Sequence, residues 1–507
     1  MDIKLVKQDV ITREKVFTAT AEVRSEGKIQ EQNMPAPQKV LKCSCRSAIT
    51  SKAVSDKSVT VEGMSTLSVI YIDGDDNLCS AENTLLFSKN FDADTSLFGG
   101  EVNVEIWDEK CSAVISSGGI QLSLTLSLGV TVTKNTENEI VCNAECRDIE
   151  KLCGKAEITM PISKAEKNII VEEEVSVGNG QPSVERLVRS NATVTVEDTK
   201  IMGGKVMVKG TVRVYALYIP EGGGRPQSFE DSFPFGQLMD VEGAEDDCLC
   251  TGSARLLFCQ LEPDNTDDEV RSFAFTAKIA LCAEVYCENE IPVVIDAYST
   301  KGGCKVERCD RVFRKLREKV KQRFVARKEI EFTEGAIAAV TDMWCEVKNC
   351  NCRFEGDEMK VSGTVMANLL VTDTEGLPDC FERPVEFEYS YRPEKELESP
   401  DADFAVVVTH CSYTVMGDNT LSLAIEPQLT ASIYENKTVK LLSNIYEDDS
   451  VTEKPRSSSI VLYFADKGET LWDIARRYNS SIDEIKALNN VSEDLLLAPH
   501  KFIIPTK

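Results

Sequence analysis

The sequence lacks the long apolar runs of a membrane protein. No stretch of about 18 uncharged apolar residues occurs in the 507 residues. The N-terminal segment MDIKLVKQDVITREKVFTAT carries charges every few positions and has no apolar core of the kind found in a signal peptide. We therefore expect a soluble, cytoplasmic protein without an export signal.

Positive charge and histidine are also scarce. The chain has 57 Lys and Arg against 84 Asp and Glu, a net charge of −27, and two histidines, His410 and His500. This charge argues against non-specific binding to nucleic acid or to anionic lipid, and it favours a protein or neutral-glycan partner. The sequence shows no nucleophile motif, phosphate-binding loop or series of metal ligands, so we expect no catalytic activity and no cofactor.

Cysteine, by contrast, is abundant, with 19 residues. In a long chain with an odd count and no export signal, reduced thiols are expected rather than a disulfide scaffold. Three pairs have CxC spacing, and they are Cys43/Cys45, Cys248/Cys250 and Cys350/Cys352. Within a strand that spacing places both side chains on one face, so we interpret the pairs as packing residues. A zinc site at Cys345, Cys350 and Cys352, with a fourth ligand from elsewhere, is the alternative.

Three segments of the sequence repeat at long intervals. They are SVTVEGMSTLSVIYI (58–72), KVMVKGTVRVYALYI (205–219) and MKVSGTVMANLLVT (359–372). They align without gaps on Gly63, Gly210 and Gly363, which are 147 and 153 residues apart. Apolar and polar residues alternate around these glycines, which predicts strands with one buried face. The shared glycine indicates a bulge or a close backbone approach.

The repeats define a predicted domain organisation. We expect three mainly β copies of about 150 residues, in line with ordinary domain size, followed by a small α+β domain. Cys111 and Cys411 fall at matching positions of the first and third copies, which we interpret as packing. The predicted segments are 1–150, 151–308 and 309–446 for the copies, 447–459 for a polar linker and 460–507 for the C-terminal domain.

One segment departs from the acidic background. Residues 301–328 carry twelve Lys or Arg against three acids. Val312, Leu316 and Val320 recur at helical spacing, which predicts a helix that connects the second copy to the third. We interpret its basic face as one that pairs with the protein's own acidic surface, and docking of an acidic partner is the alternative.

The C-terminal segment has the pattern of a strand, two short helices and a strand. Thr470 with Asp473 predicts a capping box at the start of a helix that ends near Tyr478. Ser481 with Glu484 predicts a second capping box, at the start of a second helix. Two apolar faces follow from the spacing, and they consist of Leu471, Ile474, Ala475 and Tyr478 in the first helix and Ile482, Ile485 and Leu488 in the second.

Trp472 lies off the apolar face of the first predicted helix. It stands about 100° round the helix from Leu471. Two interpretations stay open, because aromatic side chains serve both as exposed anchors at interfaces and as covers of small cores.

This C-terminal pattern closely resembles a LysM domain. The resemblance rests on KGETLWDIARRYNSSIDEIKALNN (467–490) and KFIIP (501–505), with Glu469 where the family commonly has Asp and His500 where it usually has Gly. The family typically binds N-acetylglucosamine-containing glycans such as peptidoglycan, between the loop before the first helix and the loop before the last strand. The binding residues that the resemblance implies are Lys467, Gly468, Glu469, Thr470, Leu471, Trp472, Asn490, Asp494, Leu495, Leu496 and Pro499.

The strand pattern around the three glycines resembles the SPOCS domain of spore-coat proteins. SPOCS repeats followed by one LysM domain resemble the SipL-type coat morphogenetic proteins of endospore-forming bacteria. In that family the protein acts in the mother-cell cytosol, binds a SpoIVA-like coat-basement ATPase at the forespore surface, and uses the LysM domain for protein recognition. The resemblance implies a non-catalytic scaffold that recruits coat proteins. A peptidoglycan-binding wall protein is the alternative, and a subunit of a phage-like assembly is a third interpretation.

Overall fold

The fold consists almost entirely of antiparallel strands. The computed structural model describes residues 3–30, 32, 34–264, 269–301, 303–332, 337–417, 419–448, 459–491 and 500–506. Both helices of this described part lie near the C-terminus. Neither of them is long and apolar enough to cross a membrane.

The same succession of strands occurs three times, and each set is called a unit here. The first unit contains β1 (Lys4–Gln30), β2 (Pro37–Val54), β3 (Ser58–Asp73), β4 (Leu78–Asp92), β5 (Glu101–Ser116) and β6 (Gly119–Glu145). The second contains β7 (Ile149–Ser176), β8 (Val184–Met202), β9 (Lys205–Pro220), β10 (Gln227–Asp240), β11 (Leu249–Pro263) and β12 (Ser272–Ser299).

The third unit and the C-terminal domain complete the chain. In the third unit two strands, β13 (Cys304–Arg323) and β14 (Ala326–Glu331), take the place of one long first strand. The rest of it consists of β15 (Ile337–Glu355), β16 (Glu358–Asp373), β17 (Pro378–Tyr391), β18 (Pro400–Val415) and β19 (Thr420–Glu447). The C-terminal domain consists of β20 (Ile460–Ala465), α1 (Leu471–Tyr478), α2 (Ile482–Asn489) and β21 (His500–Pro505).

Each unit is built from two antiparallel sheets that enclose a hydrophobic cluster of their own. One sheet has the order β2-β3-β4 in the first unit, and the corresponding sheets are β8-β9-β10 and β15-β16-β17. The other sheet has the order β1-β6-β5, and its counterparts are β7-β12-β11 and the sheet in which β13, β14 and β18 all pair with β19. Alternation along the strands turns one face of each sheet inward, as the period-two pattern predicts.

The recurring glycine lies opposite a phenylalanine in every unit. The register pairs are Gly63–Phe87, Gly210–Phe235 and Gly363–Phe387. A Cβ atom at Gly210 would lie 2.2 Å from the carbonyl oxygen of Thr195 and 2.5 Å from the Phe235 ring. The register of the neighbouring strand shifts here, between Val196 and Asp198. The predicted close approach is confirmed, because the ring occupies the space that a side chain would need.

The three units also share hydrophobic clusters with one another. One cluster contains a residue seven positions after each recurring glycine, and these residues are Ile70, Leu217 and Leu370. Another contains residues of the long central strands β6, β12 and β19, and they include Ile140, Val293 and Leu441. Matching positions therefore meet at common points, as in an approximately threefold arrangement.

The predicted basic helix is wrong, because this segment forms β13, the first strand of the third unit. The strand pairs with β19, and its register shifts between Leu316 and Glu318. The extra residue at that bulge puts Leu316 and Val320 on opposite faces, and both are buried there, while Val312 is exposed. The helical spacing of apolar residues thus arises from a bulged strand with contacts on both faces.

The basic side chains of β13 form ion pairs with acidic residues of the same chain. Lys315 lies 2.8 Å from Glu157 of the second unit, and Arg317 lies 3.2 Å from the same carboxylate. Because of the nearby Lys315 and Arg317, the pKa of Glu157 lies below its ordinary value, although partial burial opposes the shift. These contacts support the interpretation that the segment pairs with the protein's own acidic surface.

The CxC pairs lie along or beside strands, and their thiols pack against the cores. Cys43 and Cys45 contact the first cluster, and Cys350 and Cys352 contact the third. Seventeen of the nineteen cysteines, including these four, are free, but the expectation of reduced thiols is wrong for Cys248 and Cys287, which form a disulfide. The reason is register, since Leu249 pairs with Tyr286 and the next step along both strands brings the two cysteines face to face. Within the described residues, no group of three or more His, Cys, Asp or Glu is arranged to hold a metal ion.

Candidate functional site

The C-terminal domain has the predicted β-α-α-β order. β20 and β21 pair antiparallel, with Tyr463 opposite Phe502. Thr470 is the N-cap of α1 and its hydroxyl accepts a hydrogen bond from the backbone N–H of Asp473 at 3.1 Å. The predicted start of the helix after Thr470 and its end at Tyr478 are confirmed, and the Asp473 carboxylate accepts a hydrogen bond from the Thr470 hydroxyl. The apolar face of α1 is buried as predicted, and Tyr478 lies at its partly buried edge.

The second helix departs from its prediction at two positions. Ser481 is the N-cap of α2, but its side chain makes no capping hydrogen bond. Ile485 is buried, whereas Leu488 is exposed and does not belong to the inner face. Asn489 connects α2 to β21 instead. Its side-chain amide accepts a hydrogen bond from the Ile503 N–H at 2.7 Å and donates one to the Ile503 carbonyl at 2.8 Å. The apolar pattern of the sequence did not indicate these hydrogen bonds between α2 and β21.

The loop before α1 is held by a small polar network. Gly468 has φ +94°, a conformation that favours glycine. The Glu469 carboxylate accepts hydrogen bonds from the Tyr463 hydroxyl at 2.8 Å and from the Asp466 N–H at 2.9 Å. These bonds hold the pKa of Glu469 below its ordinary value, and the same carboxylate raises the pKa of Tyr463. Glu469 therefore fixes the loop and has few oxygen positions left for a partner.

Two other predicted loop residues have structural roles. Leu471 is fully buried, so its side chain belongs to the core of the domain, and its place in a binding loop stays a prediction. The Thr470 hydroxyl is engaged in the helix cap. Lys467 and Asn490 are exposed and remain predictions for contact. The predicted site residues Asp494, Leu495, Leu496 and Pro499 lie outside the described residues.

Trp472 is buried against the second unit of the chain. It is 8% exposed, and its ring lies 5.0 Å from the ring of Tyr298 in an edge-to-face arrangement. The Tyr298 hydroxyl donates to the carbonyl oxygen of Ser480 at 2.7 Å. Trp472 is thus a cover of the small core, and the interpretation as an exposed anchor is wrong. Tyr298 was missed, because no pattern in the sequence connects it with a helix near the other end of the chain.

Asp296 reinforces this attachment with charge. It is 6% exposed and lies on β12, two residues before Tyr298. One of its oxygens accepts from Arg476 of α1 at 2.5 Å, and the other accepts from Arg308 of β13. Charge-assisted bonds of this kind are stronger than neutral ones. The carboxylate therefore joins the second unit, the third unit and the C-terminal domain.

The outer face of the two-stranded sheet presents a group of exposed apolar side chains. Leu462 lies opposite Ile503 in the register, and the intervening residues of β20 point inward. Large apolar side chains are rarely exposed in contiguous groups without a function. We call this group the apolar stripe, and its members, between 39% and 70% exposed, are Ile460, Leu462, Phe464 and Ile503. Alternation within IVLYFA could have indicated it, although not which face meets solvent.

A cavity of about 1600 Å³ is lined by residues of all three units. Lys164 of the second unit forms two ion pairs along its wall, and the pair with Glu101 connects the second unit to the first. Lys164 lies 2.6 Å from Glu101 and 3.1 Å from Glu166. Burial lowers the pKa of Lys164, but the interactions with Glu101, Cys282 and Glu166 together outweigh it, so that its pKa is raised. Because these charges pair within the chain, we assign a structural role to this part of the cavity wall.

Two domain types are recognised in the chain. The SPOCS domain of SipL matches residues 37–116 and 183–262, and the LysM domain matches residues 466–505. The SPOCS matches fall on corresponding strands of the first two units, and the LysM match falls on the β-α-α-β domain. No curated protein and no solved structure matches the chain. Both domain types are non-catalytic binding domains, and they indicate a sporulation-related protein with a carbohydrate-binding type of domain.

Proposed function

Because the chain combines two SipL-type SPOCS domains with a C-terminal LysM domain, we propose that it is a non-catalytic scaffold of the spore coat or envelope. In this proposal it acts in the mother-cell cytosol and recruits or tethers coat proteins at the forespore surface. Its LysM domain docks on a protein partner, for which a SpoIVA-like coat-basement ATPase is the candidate.

The apolar stripe carries this proposal. Its members form one flat face on the sheet of the LysM domain, and Leu462 and Phe464 are at least half exposed. The centres of protein interfaces are apolar and aromatic, with a polar rim around them. Lys501 lies 5.6 Å over the Phe464 ring and supplies such a rim. The attachment to Tyr298 uses Trp472 of α1 and Ser480 between the two helices, so in the described part of the chain it does not cover this face.

Binding of the full chain to the purified coat-basement ATPase tests the proposal. We expect Phe464→Asp and Leu462→Asp each to weaken binding at least about tenfold, because a charge is placed at the centre of an apolar interface. Leu488→Asp is the matched control, since Leu488 is a comparably exposed leucine on α2 outside the stripe. Unchanged binding by both stripe variants would overturn the assignment of this face.

The alternative function is binding of peptidoglycan or a related N-acetylglucosamine glycan. The LysM match favours it, together with the exposed Lys467 and Gly468 in the loop before α1. Titration of the full chain with chitin oligomers separates the two functions. Micromolar binding that Phe464→Asp leaves unchanged would support the glycan function, and the absence of binding would support the scaffold.

A further inference from the structure

Free thiols of the first and third units meet across their two sheets. In the first unit Cys45 lies on β2 and Cys111 on β5, which are edge strands of different sheets packed side by side. Cys43, Cys45 and Cys111 all pack against the first cluster, and hydrogen bonding with Cys43 and Cys45 lowers the pKa of Cys111. In the third unit Cys345 on β15 and Cys411 on β18 likewise pack against one cluster, and hydrogen bonding with Cys345 lowers the pKa of Cys411.

The two thiol pairs occupy corresponding places. Cys45 and Cys345 lie on corresponding edge strands, β2 and β15. Each pairs with a residue four positions after the recurring glycine, which is Leu67 for Cys45 and Ala367 for Cys345. Cys111 on β5 pairs with Leu124, and Cys411 on β18 pairs with Ile425. Each of these partners lies eight residues before the place where the central strand faces the bulge of the first strand, at Val132 and Ile433. The contact is therefore a feature of the unit's geometry and occurs twice.

The second unit has one half of the arrangement. Cys259 on β11 occupies the place of Cys111 and Cys411, with Ala277 as its pairing partner. The place of Cys45 and Cys345 is taken by Ala192, which pairs with Val214, four residues after Gly210. Cys259 accepts a hydrogen bond from Arg46 instead. The chain thus contains its own comparison, with two complete thiol pairs and one incomplete pair.

We propose that Cys45–Cys111 and Cys345–Cys411 are oxidation sites, each of which forms a disulfide between the two sheets of its unit when a low-molecular-weight disulfide is the oxidant. All four side chains are partly exposed. Because the two edge strands of each pair lie side by side and both thiols pack against the same cluster, a small movement brings the two sulfurs to bonding distance.

The reaction is an exchange in two steps. The Cys411 thiolate attacks one sulfur of the oxidant RSSR, which gives a mixed disulfide and releases RS⁻. The Cys345 thiolate then attacks the Cys411 sulfur, forms the new bond and releases the second RS⁻. The two protons from the cysteine thiols convert both leaving groups to RSH, so that two thiols are oxidised and one RSSR is reduced. The hydrogen bond from Cys345 lowers the pKa of Cys411, which favours Cys411 as the attacking group.

Oxidation of the full chain with glutathione disulfide, followed by non-reducing peptide mapping, tests the proposal. We expect linked peptides Cys45–Cys111 and Cys345–Cys411, and an unlinked Cys259. The disulfide Cys248–Cys287 is already present and shows that linked peptides are recovered. Free Cys345 and Cys411 after complete exposure to the oxidant would overturn the proposal for the third unit, and a Cys43–Cys111 link would overturn it for the first.

An added cysteine provides a test that does not depend on removing a thiol. Ala192→Cys completes the pair in the second unit, so we expect a new link between the introduced thiol and Cys259, at a yield close to that of the natural pairs. Leu187→Cys, on the same strand β8, is the control and should give no such link. Failure of Ala192→Cys to link in a chain with unchanged circular dichroism would contradict the geometric argument.

Discussion

The strand units and the LysM domain complete their hydrophobic cores in different ways. Each unit encloses a cluster between its own two sheets. The LysM cluster, by contrast, includes Tyr298 and Leu152, which belong to strands of the second unit. A domain of under fifty residues has little apolar surface to bury, and an external side chain adds to it. The LysM domain is therefore attached by the same contact that completes its core.

The LysM domain therefore has two surfaces, one covered by the second unit and one exposed. One surface is used for attachment through Trp472 and Arg476, and it is closed by the second unit. The other surface, the apolar stripe, has no such cover in the described part of the chain. The proposed scaffold role requires this separation, because a docking domain must be held in place while its binding face stays accessible. The following predictions test the comparison between units and LysM domain, beginning with the largest effect.

Removal of the Tyr298 ring should have the largest effect. Tyr298→Ala is expected to destabilise the LysM domain by about 3 kcal/mol, because truncation of a buried aromatic side chain leaves a cavity. Hydrogen exchange of the α1 amides in the full chain measures this local stability. Amides of β9 should keep their protection, since that strand lies outside the LysM cluster.

Tyr298→Phe is the matched control for the ring. It keeps the contact with Trp472 and removes only the hydroxyl that donates to Ser480. We expect a loss of about 1 kcal/mol, the usual contribution of one hydrogen bond. Unchanged α1 exchange in Tyr298→Ala would mean that the LysM domain completes its own core, and the contrast with the units would fail.

Substitution of the recurring glycines examines the other side of the comparison. Gly210→Ala should destabilise the second unit by about 2 kcal/mol, because the added methyl group meets the backbone carbonyl of Thr195. Gly363→Ala should destabilise the third unit by about half that amount. At Gly363 the nearest backbone atom would be 3.2 Å away, and the Phe387 ring at 2.8 Å can tilt.

Hydrogen exchange in β9 and β16 measures the two effects in their own units. Gly74→Ala is the control, since a Cβ at Gly74 would meet no atom within 4 Å. Equal effects at Gly210 and Gly363 would contradict the account in which a rigid backbone contact costs more than a ring contact. The LysM amides should be unaffected in either case.

The units were more predictable than their connections. Alternation around Gly210 predicts a strand, and the shared glycine predicts its close approach, because both are local properties of the chain. The segment around Leu316 was misassigned, because a bulge with burial on both faces imitates helical spacing. This basic segment is the first strand of the third unit and not a helix.

The LysM site was predictable in its fold and less so in its surfaces. Thr470 and Asp473 mark the start of α1 by a local rule, and the structure follows it. Tyr298 and Asp296 were missed, because their contacts join residues far apart in the sequence. Trp472 could be placed off the apolar face, but its burial depends on the second unit. Tertiary contacts thus decide which surface of the domain remains exposed.

The charge at the attachment should contribute less than the ring. Asp296→Asn is expected to destabilise α1 by about 1 kcal/mol, because both guanidinium partners lose charge-assisted bonds. Arg476→Ala should cost less, because the Arg476 side chain is 45% exposed and the pair is partly solvated. The α1 exchange rates in low and high salt measure the effect, which salt should reduce. An effect of Asp296→Asn larger than that of Tyr298→Ala would contradict an attachment based mainly on packing.

The smallest predicted effect is a pH dependence of the loop before α1. Bonds from Tyr463 and from the Asp466 N–H lower the pKa of Glu469 in the folded domain. A group with a lowered folded pKa stabilises the fold fully above its ordinary pKa and loses that contribution as the pH falls through the folded value. Ordering of Gly468 should therefore persist at neutral pH and weaken only below about pH 4.5, the ordinary value for glutamate.

The amide resonance of Gly468 in a chain labelled with [¹⁵N]glycine reports this titration. We expect a midpoint below the ordinary glutamate pKa in the unaltered chain, a midpoint moved upward in Tyr463→Phe, and no titration step in Glu469→Gln. The upward shift follows because Tyr463 makes the largest contribution to the lowered pKa of Glu469. A midpoint at or above the ordinary value in the unaltered chain would show that the network does not hold the carboxylate. The loop would then depend, like α1, on contacts with the second unit, and the LysM domain would have no locally fixed part.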